Sequence, residues 1–120
     1  MKVVIADDSR VMRQIVLRTL RQAGFAHHEF VEASDGAEAL AKIQEHEAEL
    51  VLSDWNMPNT TGIELLRALR AQGNAVPFGF VTSEGSQEMR AVAAQAGAMF
   101  LIAKPFTPEA FEDALGAVLS

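Results

Sequence analysis

The sequence predicts an α/β domain, a parallel sheet with helices packed on both faces. Short β-type runs alternate with segments of helical periodicity five times along the 120 residues, the pattern that crossover connections between parallel strands produce. The third run, Leu50-Val51-Leu52, is wholly apolar before Ser53, as befits a central strand covered on both sides. Four runs end in polar residues: Asp7-Asp8 after Val3 to Ala6, Asp54 after Leu50 to Ser53, Thr82 after Val76 to Val81, and Lys104 after Met99 to Ala103. In an open α/β sheet the carboxyl ends of the strands border one crevice, so these separated positions converge on one site.

Each element has a local reason. Ser9 caps the first helix, whose inward positions Met12, Ile15, Val16, Thr19, Leu20 and Ala23 recur at three and four residues before Gly24 stops it. His28 to Ala33 reads as the second strand, and Ser34-Asp35-Gly36 leads into a helix buried along Ala39, Leu40 and Ile43. After the third strand, Thr61 and Glu64 form a capping-box pattern ahead of Leu65, Leu66 and Leu69, and Gly73-Asn74 ends that helix. Val76 to Val81 is the fourth strand, and a helix from Ser86 to Gln95 turns Met89, Val92 and Ala93 inward. Met99 to Ala103 is the fifth strand, after which Thr107-Pro108 supplies a cap and a first-turn proline for a last helix with Phe111, Leu115 and Val118 inward.

The composition narrows the function. One domain spanning residues 1–120 is large enough for a single core, and no linker, repeat or low-complexity segment divides it. The chain stops one helix after the last strand, so no output domain is expected to follow. With no cysteine, disulfides, thiol catalysis and Cys-ligated zinc are excluded. Sixteen acidic residues against ten Lys and Arg leave a net charge of −6 and no basic run, which argues against direct nucleic-acid binding. The opening apolar stretch is short and runs into Asp7-Asp8, so neither a signal peptide nor membrane insertion is expected, and the location is cytoplasmic.

Three carboxylates at neighbouring strand tips repel one another, since like charges about 4 Å apart cost about 4 kcal/mol at an effective dielectric near 20. A hard divalent cation relieves this, and Mg2+, with oxygen ligands and retained waters, suits it best. Asp54 beside such an ion is a candidate nucleophile that attacks a phosphoryl group and holds it as an acyl phosphate. Thr82 would hydrogen-bond a phosphoryl oxygen, and Lys104 would neutralise its charge. Singly, each has an ordinary alternative: Asp54 a helix cap, Asp7 and Asp8 a complement to the first helix dipole, Thr82 a loop hydroxyl, Lys104 a surface lysine. A cis bond at Lys104-Pro105 would aim the lysine back into the crevice. Gly62 fits a tight turn or close packing after the Asp54 loop. His27, His28 and His46 lack metal-ligand spacing and read as surface residues.

On these motifs the chain resembles response-regulator receiver domains, and among them the single-domain chemotaxis regulators. The likeness runs through Ala6-Asp7-Asp8-Ser9, Ser53-Asp54-Trp55-Asn56-Met57-Pro58-Asn59, Gly62-Ile63-Glu64-Leu65-Leu66, Val81-Thr82-Ser83-Glu84, Ala94-Gln95-Ala96-Gly97-Ala98 and Lys104-Pro105-Phe106-Thr107. It implies a flavodoxin-like (βα)5 three-layer sandwich with strand order 2-1-3-4-5. It further implies that Asp54 takes a phosphoryl group from a histidine kinase. Asp8, Asp54 and the Asn56 backbone carbonyl would hold magnesium, with Asp7 acting through water. Phosphorylation would alter the face of the fourth helix, fifth strand and fifth helix, around Leu101, Ala103 and Phe106, toward a downstream effector such as a flagellar motor switch. Two departures stand out. Leu101 occupies the position where the family commonly has an aromatic residue, with Phe100 on the opposite side of the strand, and Ser86 and Gln87 replace lysines of the enteric chemotaxis regulator.

Three rival readings have distinct signatures. A receiver cut from a longer regulator would carry a DNA-binding or enzymatic output domain. A magnesium-dependent phosphatase with an aspartyl nucleophile wants a second acid two residues on, where Asn56 stands. A flavodoxin-like cofactor binder would not place carboxylates in the turn that receives a phosphate.

Overall fold

Five helix starts in this chain carry a short polar side chain that can accept from the first free backbone N–H groups, and each does so. In the computed structural model, which describes residues 1–116 and 118, the caps are Ser9, Asp35, Thr61, Ser86 and Thr107. They open α1 (Arg10–Gln22), α2 (Gly36–His46), α3 (Gly62–Ala71), α4 (Gln87–Ala96) and α5 (Pro108–Leu115). At α3 the capping box is reciprocal: the Glu64 amide donates to the Thr61 hydroxyl at 3.3 Å and the Thr61 amide to the Glu64 carboxylate at 3.0 Å.

The strands are β1 (Lys2–Ala6), β2 (Glu29–Ala33), β3 (Leu50–Ser53), β4 (Phe78–Thr82) and β5 (Phe100–Ala103). They form one parallel sheet of order 2-1-3-4-5, the expected flavodoxin-like topology. Alternate residues feed two cores. Val4, Ala6, Val51, Phe78 and Phe80 meet α2, α3 and α4, whereas Val3, Ile5, Leu50, Leu52 and Val81 meet α1 and α5. β3 is buried along its whole length, as its apolar run predicts.

The boundaries shift where the backbone chemistry demands it. β4 begins at Phe78 and not at Val76, because Pro77 has no N–H for the ladder and the Val76 amide turns to the Asn74 side chain at 3.0 Å. β2 starts one residue later than expected and leaves out His28, which is half-buried with its ring 4.0 Å from that of His27 and 6.4 Å from that of Phe25. The expectation of a surface His28 is corrected accordingly; His46 is also half-buried and His27 is exposed. Leu17 of α1 is buried beyond the expected stripe, one turn after Arg13, which pairs with Glu32 of β2. Among the described residues no helix is long and apolar enough to cross a membrane.

Candidate functional site

Parallel pairing brings the polar strand ends into line. Ala6 pairs with Ser53, and the Asp54 amide donates to the Ala6 carbonyl at 2.8 Å, which sets the residue after β3 beside the residue after β1. On the other side Thr82 pairs with Ala103, and the Lys104 amide donates to the Thr82 carbonyl at 2.8 Å. The connections reverse direction between β1 and β3, where a doubly wound sheet opens its crevice.

Asp7, Asp8 and Asp54 each offer a carboxylate oxygen, and these oxygens lie within 4.8 Å of one another. Asp7 is buried, Asp54 is half-buried and Asp8 is exposed. The Lys104 ammonium stands between two of them, 3.1 Å from Asp7 Oδ2 and 3.4 Å from Asp54 Oδ2. The other oxygen of each is held by backbone: Ser9 N–H donates to Asp7 Oδ1 at 2.9 Å, and Trp55 N–H donates to Asp54 Oδ1 at 2.7 Å. The donor set is three hard anionic oxygens open to solvent on the Asp8 side, which fits a small divalent cation.

Thr82 is fully buried at the end of β4, and its hydroxyl accepts from the Glu84 amide at 3.4 Å. Asn56 is exposed in the loop between β3 and α3. That loop is pressed against Gly62, where a Cβ would stand 2.1 Å from the Asp54 carbonyl oxygen and 2.9 Å from the Phe80 ring. Gly62 therefore serves close packing; its amide also donates to the Trp55 carbonyl at 2.8 Å. The Lys104-Pro105 bond is cis.

The three positions expected at the switch face are divided by the sheet. Leu101 is buried in the layer of α2, α3 and α4, Ala103 is half-buried, and Phe106 packs edge-on to Phe111 in the layer of α1 and α5. Phe100 lies on the opposite side from Leu101, its ring filling the space above Gly79. The aromatic ring in register with Leu101 comes from β4: it is Phe80, whose centroid is 4.8 Å from that of Trp55. Two parts of the site escaped the sequence reading. One is this Trp55 to Phe80 contact; the other is Arg13, which donates to the Asp7 carbonyl at 2.6 Å. A charged residue beside the apolar stripe of α1 was the available signal for the second.

Comparison with known proteins agrees with this geometry. Residues 3–116 match the response regulator receiver domain. The chain is 39% identical over 115 residues to the chemotaxis protein CheY of Pseudomonas aeruginosa, covering 94% of this chain and 91% of that protein. It is 38% identical over 120 residues to the chemotaxis protein CheY-3 of Vibrio cholerae, covering 98% and 91%. The crystallised chemotaxis protein CheY4 of Vibrio cholerae superposes with a TM-score of 0.84 at 40% identity, with 98% of each chain covered. A response regulator receiver domain from Clostridium thermocellum shares the fold at a TM-score of 0.85 and 23% identity. Sequence, fold and crevice together make this chain a member of the response regulator receiver domain family.

Proposed function

We propose that the chain is a phosphoacceptor regulator of a two-component system, with Asp54 as the acceptor and a histidine kinase as the donor. The observation that carries this reading is the packing of three carboxylates and one ammonium at the carboxyl end of the sheet, with Lys104 Nζ 3.4 Å from Asp54 Oδ2. An Asp54 carboxylate oxygen attacks phosphorus, the bond from phosphorus to the donor imidazole nitrogen breaks, and the imidazole keeps the electron pair and takes a proton. Water later hydrolyses the acyl phosphate, releasing inorganic phosphate and restoring the carboxylate, so the protein is a regulator that promotes both its own phosphorylation and its own dephosphorylation.

Asp8, Asp54 and the Asn56 carbonyl are the proposed direct magnesium ligands, with Asp7 acting through water. Bound magnesium would supply positive charge against the carboxylates and the phosphoryl oxygens. Trp55 N–H holds Asp54 in orientation at 2.7 Å. Lys104 leaves its ion pairs to meet the phosphoryl group, and the Thr82 hydroxyl turns to a phosphoryl oxygen. Both residues adjoin β5 through the Thr82 to Ala103 pairing, so their movement reaches the face of α4, β5 and α5, where an effector would read the state. Beside Lys104 an open apolar hollow of about 410 Å³, lined by Met12, Ile15, Pro105 and Phe106, gives a protein donor a surface to dock on. The chemotaxis names of the relatives support motility control as the output, with a flagellar motor switch as one candidate effector.

Trp55, the one tryptophan, is half-buried against Phe80 and adjoins Asp54, so its fluorescence tests the proposal. Magnesium and then beryllofluoride, a phosphoryl mimic, should each change the emission, and Asp54→Asn should abolish the second step while retaining the indole. A mutant that responds to beryllofluoride as wild type does would remove Asp54 from the acceptor role.

A further inference from the structure

We propose that Arg13 is a positioning residue for the cation site, locking the Asp7-Asp8 peptide in the orientation that sends both carboxylates into the crevice. This rests on the receiver reading above and adds a part of the site outside its proposed ligand set. The Asp7 amide is bound on one side, donating to the Ala33 carbonyl of β2 at 3.0 Å. The Asp7 carbonyl, which belongs to the peptide bond joining Asp7 to Asp8, accepts from Arg13 Nη1 at 2.6 Å. Arg13 is itself anchored, since its Nε donates to Glu32 Oε1 on β2 at 3.0 Å, and the Gln14 amide donates to the same oxygen at 3.1 Å. The Arg13 side chain is 14% exposed and Glu32 36%. Both backbone polar groups of Asp7 are therefore referred to β2, and rotation of the Asp7-Asp8 peptide would break the Arg13 bond.

Only an arginine fits this task. The guanidinium presents donors in a rigid fork, so Nε reaches the carboxylate while Nη1 reaches the carbonyl; a lysine ammonium is a point charge on a flexible stem and would have to choose. Glu32 also offsets the guanidinium charge, which would otherwise oppose a cation bound at Asp7 and Asp8. Groups that orient ligands from behind in this way commonly change metal affinity by 10–100-fold when removed.

The test measures magnesium affinity by Trp55 fluorescence in wild type, Arg13→Met and Arg13→Lys, with melting in magnesium-free buffer as a check on folding. Phosphorylation by acetyl phosphate across a magnesium series then separates half-saturation from plateau. Arg13→Met should bind magnesium about tenfold more weakly. Arg13→Lys should recover part of that loss, and both variants should reach the wild-type phosphorylation plateau at saturating magnesium. A general loss of structure would instead lower the plateau in proportion, which would overturn the positioning role; Arg13→Lys keeps the test open should Arg13→Met fail to fold. Unchanged half-saturation in the variants beside a responsive wild type overturns the inference alone. A wild type that ignores magnesium overturns the receiver reading and this inference with it.

Discussion

Every oxygen of the Asp7 and Asp54 carboxylates has a partner, and the partners are of two kinds. Ser9 and Trp55 amides hold the Oδ1 atoms, while among the described residues Lys104 alone serves both Oδ2 atoms, at 3.1 and 3.4 Å. Lys104 is only 14% exposed, and the carboxylates it joins are 5% and 11% exposed, so its removal leaves anionic oxygens with little water to replace it. Lys104→Ala should lose roughly 1–3 kcal/mol of stability in magnesium-free buffer. Magnesium should restore much of that loss, since it binds only the folded state, so the melting temperature of the variant should depend more steeply on magnesium than that of wild type. Equal slopes would mean that lysine and cation do not compete for the same oxygens. The same variant should still accept a phosphoryl group at Asp54 but show a smaller change in its amide spectrum. At this scale the meeting of Asp7, Asp8, Asp54 and Lys104 was legible from their places after strands, whereas the parts of Arg13 and Phe80 were not. Their contacts to Asp7 and Trp55 depend on how α1 and β4 face their neighbours, which periodicity does not report.

At the level of elements, the caps and the apolar stripes were readable because both are local. Ser9, Thr61 and Thr107 cap as expected, and Ala39, Ile43, Leu65, Leu66, Leu69, Ala93, Phe111 and Leu115 are buried as expected. What was not local moved: Leu17 is buried outside the expected stripe, and Leu101 and Phe106, both expected at the switch face, part to opposite layers because only alternation along β5 and the turn after it decide their sides. The edge strand β2 is secured by α2. Lys42 donates to the Glu32 carbonyl at 2.6 Å and to the Glu38 carboxylate at 2.8 Å. The Lys42 bond, with the Ser34 hydroxyl second, holds the Glu38 pKa at about 2 against an ordinary 4.5. A depressed folded pKa means that this contribution is fully present above pH 4.5 and is lost as pH falls toward 2. The pair is one-third or more exposed, so solvent screens it and the effect on stability is small. The titration itself is the better readout: in Lys42→Met the Glu38 carboxyl, followed by NMR, should titrate closer to its ordinary value. An unchanged titration would assign the depression to another group.

For the whole molecule, the strand order places β1 and β3 side by side, and β4 and β5 beyond them, so that four sequence segments meet at one edge. That convergence was expected from the alternation of strand and helix, and the motifs made it specific. The order itself could not be obtained from alternation, since several right-handed windings satisfy the same pattern; it came with the family resemblance. The central claim is that this edge receives a phosphoryl group on Asp54. Intact mass after incubation with acetyl phosphate and magnesium, for wild type and Asp54→Asn in parallel, tests it most directly. The account predicts one added phosphoryl group on wild type, lost on standing as the acyl phosphate hydrolyses, and none on the variant. Equal phosphorylation of Asp54→Asn, or an unmodified wild type, would contradict it.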